Sequence, residues 1–433
     1  MRRRIFGFSV LAATTSALVF AYGCGGDDTT GGGDTSDASP GNDATTSDAN
    51  VADTSTPKDA ATTTDASVDA GSSHIAFVTA TSFNGDLIGA ANAADAGTVS
   101  LDGGAFTDYI SATNALCTAD AKRAGRTGKF VALVQAGADD MFARISDSDG
   151  PWALPDGTPV AETAAQFKVG DMHAGIDENA GGTRVTYKQP VWSLGYTGSD
   201  CTGWTSSAAS VIHGNAGQAG IVSQYAFNNL GDLCVTESPL YCVEVGSGGA
   251  PNKYPTIPAG GKIAFVAAGP YPGNFALSDA GVLDAAAPPG DQVHGVGDAI
   301  CNELAAGAGR SGDFHAWVSS STTGAAAYFT GLSMNGPWYQ LDGLEVAASL
   351  SVLTTTGPST QISLDATGHF PTLSFVKTGT AMNGTLNVNC NDFASKDSAE
   401  FTTSGFSAFK LTGWTDSNTF PCSSPSALYC FEK

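Results

Sequence analysis

The segment Leu240-Tyr241-Cys242-Val243-Glu244 decides the fold, because it returns at the end of the chain as Leu428-Tyr429-Cys430-Phe431-Glu432. Apolar residues flank a cysteine in both copies, which favours a buried strand that closes a structural unit. A match of this kind at such a distance indicates an internal duplication.

Further segments of the chain recur in the same order and at nearly constant spacing. They are Ile75-Ala76-Phe77-Val78 with Ile263-Ala264-Phe265-Val266, Ala124-Gly125-Arg126 with Ala308-Gly309-Arg310, Gly150-Pro151-Trp152 with Gly336-Pro337-Trp338, and Asp156-Gly157 with Asp342-Gly343. We therefore predict two homologous domains, residues 74–246 (repeat 1) and residues 261–433 (repeat 2). The stretch 247–260, which contains Gly and Pro, is the predicted linker.

Eight cysteines follow Cys24, and they fall into two matching sets. The intervals within a set are 84, 33 and 8 residues in repeat 1 and 89, 32 and 8 residues in repeat 2. Four cysteines in each unit of an exported chain indicate two disulfides per repeat, and three pairings are possible within each set. Zinc is disfavoured, because the chain has no C-x2-C and its six histidines are scattered. The eight cysteines are Cys117, Cys201, Cys234, Cys242, Cys301, Cys390, Cys422 and Cys430.

The amino terminus predicts export. Three arginines (Arg2–Arg4) precede an apolar run over residues 5–20, which has the length of a signal-peptide core rather than of a membrane span. The following Ala21-Tyr22-Gly23-Cys24 resembles a bacterial lipobox, in which the cysteine is acylated. We predict a signal peptide over residues 1–23 and a lipid on Cys24 that anchors the protein at the outer membrane or cell surface. The alternative is ordinary signal cleavage nearby, which would leave Cys24 free.

Residues 24–73 are predicted to form a disordered tether. They hold ten aspartates, one lysine (Lys58) and almost no large apolar side chain, so they cannot bury enough surface to offset the entropy of ordering. The whole chain has a formal net charge of −23. This charge argues against nucleic acid and against an anionic membrane surface as direct partners, because both require clustered Lys and Arg.

Each repeat predicts strands and a helix in a fixed order. A strand opens each unit, over residues 75–79 and 263–267, and a helix that carries the first cysteine ends near Gly125 in repeat 1 and near Gly309 in repeat 2. A second strand, a long Gly-rich loop region and the closing strand follow. We therefore predict an α+β domain whose first and last strands are adjacent.

Both repeats resemble the C-type lectin-like fold, and most closely an endostatin-like branch found in a domain of unknown function common in bacterial surface lipoproteins. The shared features are the opening Phe77-Val78-Thr79 strand, the Gly-Pro-Trp segments, a Cys-x-x-Trp from Cys201 to Trp204, and the closing Leu-Tyr-Cys-Val-Glu. Repeat 2 departs from this pattern at Phe393, which replaces the Trp. The resemblance covers both repeats and implies nested disulfides: Cys117–Cys242 around Cys201–Cys234, and Cys301–Cys430 around Cys390–Cys422.

The resemblance carries over no calcium-dependent sugar site. Lectins of that type use a Glu-Pro-Asn or Gln-Pro-Asp triplet and a Trp-Asn-Asp strand, whereas Gln189-Pro190-Val191 lacks the acidic ligand. The segment Asp147-Ser148-Asp149-Gly150 has the start of a calcium loop, but repeat 2 has Ser333-Met334-Asn335-Gly336 there, so a solvated turn is expected. We predict no metal and no cofactor.

Tryptophans are the candidate ligand-binding residues, because exposed aromatic rings stack on sugars or anchor protein partners. Trp192 and Trp204 lie in the long-loop region near Cys201 and are the pair expected at the surface. Trp152 and Trp338 occupy equivalent places in the two repeats and are expected in the core.

Catalytic signatures are missing from the sequence. There is no Gly-x-Ser-x-Gly, no phosphate-binding loop and no His-Glu-x-x-His. His173 and His213 have no matching pair in repeat 2, and the recurring Glu244 and Glu432 are expected to be structural. If all eight cysteines pair, no thiol remains as a nucleophile. The chain is therefore predicted not to be an enzyme.

The leading functional hypothesis is a cell-surface lipoprotein that displays two modules for binding a protein or a glycan through their long-loop regions. Duplication on a tether would raise avidity if both sites were alike. A structural protein of the cell envelope or matrix is the first alternative, and an enzyme of unrecognised type is the second.

Overall fold

The first and last strands of each repeat pair with one another, as the sequence predicts. In repeat 1, β1 (His74–Val78) runs antiparallel to β8 (Tyr241–Val245). In repeat 2, β9 (Lys262–Tyr271) runs antiparallel to β16 (Ser426–Glu432). The chain of each repeat thus returns to its own beginning, and both repeats contain helices and sheets of an α+β fold.

The computed structural model describes residues 73–93, 104–194, 199–208, 213–277 and 289–433. The predicted signal peptide (1–23), Cys24 and the predicted tether up to residue 72 lie outside the described residues. Within the described part of the chain, no helix is both long enough and apolar enough to cross a membrane.

Apart from an additional first helix in repeat 1 and an additional helix after the second strand of repeat 2, the remaining described elements follow the same order in the two repeats. Those of repeat 1 are α1 (Leu87–Ala93), α2 (Tyr109–Arg123), β2 (Lys129–Ala132), β3 (Trp152–Ala153), β4 (Pro159–Ala161), α3 (Ala164–Val169), β5 (Pro190–Trp192), α4 (Cys201–Trp204), β6 (His213–Gln218) and β7 (Leu230–Leu233). Those of repeat 2 are α5 (Pro289–Gly307), β10 (Phe314–Ala316), α6 (Ala325–Gly331), β11 (Trp338–Tyr339), β12 (Glu345–Ala347), α7 (Leu350–Thr355), β13 (Phe375–Lys377), α8 (Cys390–Phe393), β14 (Phe401–Phe406) and β15 (Asn418–Pro421).

The sheets of the two repeats have equivalent strand orders. Repeat 1 has a five-stranded sheet, β2-β8-β1-β3-β4, and a separate three-stranded sheet, β5-β6-β7. In repeat 2 the strands β12-β11-β9-β16 reproduce the first sheet, with β10 also beside β16, and they continue into β13-β14-β15. The two parts join through a parallel pairing of Val376 with Ala427, where repeat 1 has only an isolated parallel bridge between Trp192 and Leu240.

Alternation along the first strand separates the core of repeat 1 into two clusters. Ile75 and Phe77 pack with α2 and the disulfides on one face of the sheet, while Ala76 and Val78 pack with β3 and β4 on the other. Helix α2 begins where Asp108 accepts a hydrogen bond from the main-chain N–H of Ser111, and it buries its apolar stripe against the first cluster.

Four disulfides close the structure in the nested arrangement. Each repeat has an outer bond that joins its long helix to its last strand and an inner bond that closes the loop region. Their sequence separations are 125 and 33 residues in repeat 1 and 129 and 32 residues in repeat 2. In the chain-entropy description the outer bond contributes about 5 kcal/mol and the inner bond about 4 kcal/mol. The pairs are Cys117–Cys242, Cys201–Cys234, Cys301–Cys430 and Cys390–Cys422.

The inner disulfide of each repeat begins a turn of left-handed helix. All four residues of α4 and all four of α8 have positive φ, between 49° and 70°. Such backbone costs about 1–2 kcal/mol for each residue that carries a side chain. Asp200 holds the turn in repeat 1 by accepting from the N–H groups of Gly203 (3.1 Å) and Gly137 (3.0 Å), and Trp204 is buried beneath it.

We predict that Thr202→Gly stabilises repeat 1 by about 1 kcal/mol, because glycine removes the cost of positive φ at this exposed position. Asn391→Gly, at the equivalent position of repeat 2, should gain less, because asparagine tolerates this conformation. The control Thr205→Gly, at φ −116°, should destabilise the fold. Urea unfolding of the three variants measures the differences, and a loss of stability in Thr202→Gly would contradict the strain.

The two repeats pack directly against each other. Phe406, Ala408 and Phe409 of repeat 2 belong to the same apolar cluster as the core of repeat 1. At the edge of this contact the buried ammonium group of Lys410 lies 2.6 Å from a carboxylate oxygen of the buried Asp177. Removing the carboxylate of Asp177 would leave the ammonium group of Lys410 without its ion-pair partner in the interior, so the pair helps to fix how the repeats meet.

Equivalent loops of the two repeats meet at this contact. Gly217 and Gly405 mark the register, because a Cβ on either would overlap a main-chain oxygen, that of Ala226 or of Trp414. The loop 219–222 that follows the first glycine therefore corresponds to the loop 407–410 that follows the second. These loops touch reciprocally: the N–H of Val222 donates to the carbonyl of Ala408 (3.2 Å), and Lys410 Cε lies 3.4 Å from where a Cβ on Gly220 would stand.

Candidate functional site

A cleft of about 710 Å³ opens where repeat 1, the linker and repeat 2 meet. Its volume lies within the range of small-ligand sites in proteins. Repeat 1 contributes the side chain of His173, the linker contributes residues 254–257, and the other lining residues come from repeat 2. The residues that line the cleft are His173, Tyr254, Pro255, Thr256, Ile257, Arg310, Leu341, Asp342, Leu364, Thr367 and Gly368.

The linker is bound to repeat 1 through Glu162. One carboxylate oxygen of Glu162 accepts from the side-chain amide of Asn252 (3.0 Å) and from the hydroxyl of Tyr254 (2.5 Å). The amide of Asn252 also donates to the carbonyl of Trp152 (3.1 Å). Burial and the neighbouring charge of Glu162 raise the pKa of the Tyr254 phenol, so the phenol remains a donor at neutral pH. These bonds hold Tyr254 in place as a wall of the cleft.

His173 and Asp342 join the two repeats at the floor of the cleft. His173 Nδ1 lies 2.9 Å from Asp342 Oδ2, and the other carboxylate oxygen of Asp342 accepts from the N–H of Leu344 (3.1 Å). The ring of His173 makes edge contacts with Tyr254 and Phe370, at centroid distances of 5.0 and 5.2 Å. A histidine of repeat 1 is thus clamped between the linker and repeat 2.

Gly343 allows the linker to approach the floor of the cleft. Its φ is +84°, and a Cβ there would lie 1.8 Å from the carbonyl oxygen of Pro255. The equivalent Gly157 of repeat 1 has φ +90° but nothing within 4 Å of its Cβ position. The repeated Asp-Gly turn therefore has the same backbone in both repeats, and only the second is covered by the linker.

The equivalent place in repeat 1 holds a cluster of charged side chains. Arg184 lies 2.7 Å from Asp177, 3.0 Å from Asp156 and 3.1 Å from Glu178. Burial, with the hydrogen bond and charge of Asp156, raises the pKa of the Glu178 carboxyl to about 7. The residues at the positions of Arg184 and Glu178 in repeat 2 are Phe370 and Leu364, which are apolar.

Neither a protein-family model nor a curated protein sequence matches this chain.

Trp192 and Trp204 do not line this cleft or any surface. Both side chains are 0% exposed, and their rings are in edge contact at 5.6 Å. Each indole N–H donates to a main-chain carbonyl, that of Phe83 (2.7 Å) or of Gln135 (2.8 Å), so burial leaves no polar group unpaired. The expectation that these two residues face a ligand is therefore wrong: they form the core around Cys201.

The recurring tryptophans and glutamates are parts of the frame. Trp152 and Trp338 are fully buried, and their indole N–H groups donate to the carbonyls of Glu244 and Glu432, each at 2.8 Å. The two carboxylates accept from the first strands, at the N–H of Ile75 (3.2 Å) and of Ile263 (2.8 Å). The expected structural role of these four residues agrees with these contacts.

The recurring arginines reach across the domain. The Nε of Arg126 donates to the carbonyl of Ala180 (3.1 Å), and the Nε of Arg310 donates to that of Ala366 (2.6 Å). Both carbonyls belong to a loop more than fifty residues downstream, so the arginines tie that loop to the helix end. Arg310 also lines the cleft, a role that sequence reasoning missed because its partner walls come from the linker and from repeat 1.

The described residues do not assemble a set of metal ligands. Among the described residues, no three His, Cys, Asp or Glu side chains are grouped so that they could hold a metal ion. In the segment first considered for calcium, Asp147 accepts from the N–H of Ala164 (2.9 Å) and Asp149 from that of Gly246 (2.9 Å). These carboxylates are used within the fold.

We predict that Gly343→Ala displaces the linker from the cleft floor, since the added Cβ would overlap Pro255. The control Gly157→Ala introduces the same positive-φ strain, about 1–2 kcal/mol, without an overlap. Tryptic cleavage after the exposed Lys253 should accelerate only in Gly343→Ala, and its loss of thermal stability should be the larger. Equal behaviour of the two variants would show that the linker does not depend on this approach.

We predict that Glu178→Gln flattens the pH dependence of stability. The carboxyl of Glu178 has a pKa of about 7 in the fold and 4.5 in the unfolded chain, so between these values the folded state binds more protons. Stability therefore falls as pH rises through this window, by about 3 kcal/mol for this 2% exposed group.

Urea unfolding between pH 4.5 and 8 measures this effect, with the exposed Glu237→Gln as the matched control. The control should keep the slope of the unsubstituted protein. If Glu178→Gln also kept that slope, Glu178 would not be the source of the pH dependence of stability.

Proposed function

We propose that this protein is an exported, non-enzymatic binding protein that holds its ligand, a glycan or a protein segment, in the cleft between its repeats. The observation that carries the proposal is that the cleft is built jointly: His173 from repeat 1, Tyr254 from the linker and Asp342 from repeat 2 are connected by ring contacts and a 2.9 Å hydrogen bond. Aromatic and apolar walls with a few convergent polar groups are typical of ligand sites.

This proposal replaces two independent sites by one composite site. The two tryptophans expected to bind ligand, both in repeat 1, are buried, and the place in repeat 1 that corresponds to the cleft carries the ion pair of Arg184 and Glu178. A single composite site also explains why the linker is bound to repeat 1 through Glu162 rather than left as a spacer.

The proposed fold family is the endostatin-like branch of the C-type lectin-like fold. The nested disulfides, the adjacent first and last strands and the long excursion between them support this kinship. That fold commonly presents variable loops on a constant frame, which suits a binding role.

The proposed location is the outer membrane or cell surface, through a lipid on Cys24. Arg2–Arg4, the apolar run after them and the small residue before Cys24 support this assignment, and the tether over residues 24–73 would lift the repeats from the bilayer. Release of a Cys24→Ser protein from the membrane fraction tests the anchor, and its retention there would refute it.

A binding role is favoured over catalysis by the surroundings of His173. Although Asp342 orients the imidazole as in many hydrolases, no Ser, Thr or Cys side chain of the described chain is hydrogen-bonded to it. The hydroxyl of Thr367, which lines the cleft, is bonded to Asp365 (2.6 Å) and His369 (2.7 Å).

We predict that filling the cleft abolishes ligand binding. Glycan-array and pull-down screens with the full-length protein in detergent would identify a ligand, and Thr256→Trp places a bulky ring at an exposed position of the cleft wall. Thr127→Trp, at an exposed position that does not line the cleft, is the control. Binding should be lost only in Thr256→Trp. Equal binding by both variants, or no ligand in either screen, would refute the proposed site.

A further inference from the structure

The cleft contains a guanidinium group, that of Arg310, that uses only one of its nitrogens in hydrogen bonds to the described residues. The Nε of Arg310 donates a hydrogen bond to the carbonyl of Ala366 at 2.6 Å, and this bond fixes the direction of the side chain. Among the described residues its two terminal nitrogens have no hydrogen-bond or ion-pair partner. A guanidinium that is held by one nitrogen and open at the other two presents a planar pair of N–H donors, the geometry that binds a carboxylate in bidentate fashion.

The carboxylate of Asp342, which lines the cleft, is already used. Both oxygens of Asp342 are engaged, one with His173 Nδ1 at 2.9 Å and the other with the N–H of Leu344 at 3.1 Å. Arg310 forms no ion pair with Asp342 within 4 Å, whereas Asp342 is paired with His173. The positive charge of Arg310 therefore remains available to an anionic group that enters the cleft.

The remainder of the cleft suits a carbon ring with hydroxyl groups. Tyr254 is 36% exposed and is held by Glu162, so it offers aromatic surface at a fixed position. Leu341 and Leu364 contribute apolar wall, and Thr256 contributes a hydroxyl. Aromatic surface beside polar groups is the usual means by which proteins hold the apolar face of a sugar.

We infer that the ligand is a saccharide that carries a carboxylate, a uronic acid unit, with the carboxylate on Arg310 and the sugar ring against Tyr254. This inference rests on the proposed function, because it names the chemistry of the same cleft. The chain has a net charge of −23 and therefore repels anions in general. A site for an anionic ligand on this protein requires a local cation that no carboxylate neutralises.

Titration calorimetry of the full-length protein tests the inference. Glucuronate and galacturonate should bind, while glucose and the methyl ester of glucuronate, which lack the charge, should bind at least about tenfold more weakly. A short peptide with a free carboxyl terminus is a further arm. If the peptide binds more tightly than the uronates, or if ester and acid bind alike, the saccharide assignment is overturned.

Arg310→Lys keeps the charge but removes the planar pair of donors, and should weaken uronate binding by about tenfold. Arg126→Lys is the matched control, since it loses the equivalent bond, to Ala180, where the cleft does not extend. Equal thermal stability of the two variants would show that the fold is preserved. Uronate binding that survives Arg310→Lys unchanged would refute the role of the guanidinium.

Different results would contradict the cleft as the binding site and the uronate as its ligand. If a screened ligand is lost in Thr256→Trp but binds normally to Arg310→Lys, the cleft is the site and its ligand is not a uronate. If ligand binding survives both substitutions, the cleft is not the site and both proposals fall. Failure of every uronate to bind while the screened ligand still requires the cleft also overturns the inference alone.

Discussion

The bond between the long helix and the last strand is the constraint on which each repeat depends. Cys117–Cys242 and Cys301–Cys430 tie together residues 125 and 129 positions apart, and the last strand that they hold lies between the first and second strands of its sheet. The intervening chain is an excursion whose ends are fixed. Because its ends cannot separate, this excursion tolerates short strands, left-handed turns and long loops that would not persist in a free chain.

The paired strands, the long helix and the disulfides of each repeat could be predicted from sequence because short local motifs specify them. A last strand with a cysteine, a helix that ends shortly before a glycine (Gly125 in repeat 1) and a glutamate beside the last cysteine recur in both copies. Each of them makes the same contact in both repeats. The cleft could not be predicted, because its walls come from residues far apart in sequence. His173 gave no signal alone, and Tyr254 lies in a segment whose composition predicted only a linker.

The error at Trp192 and Trp204 has a physical reason. The long-loop region around the inner disulfide has its own small core, and an indole is buried at no polar cost when its N–H reaches a main-chain carbonyl. The partner of Trp192 in repeat 2 is Lys377, equally buried, and burial lowers the pKa of its amine to about 8. The same position of the fold thus holds the indole of Trp192 in repeat 1 and the amine of Lys377 in repeat 2. The backbone is shared by the two repeats, whereas the side-chain chemistry differs.

The reciprocal contact of the loops 219–222 and 407–410 has a local two-fold symmetry. A patch that touches its own counterpart is the mark of an isologous interface, the kind that relates the subunits of a two-fold symmetric homodimer. At these loops the two repeats therefore meet as the two subunits of a symmetric homodimer would meet. The linker breaks this symmetry, because a single connecting segment can cover only one of two equivalent places, and here it lines the cleft on the side of repeat 2.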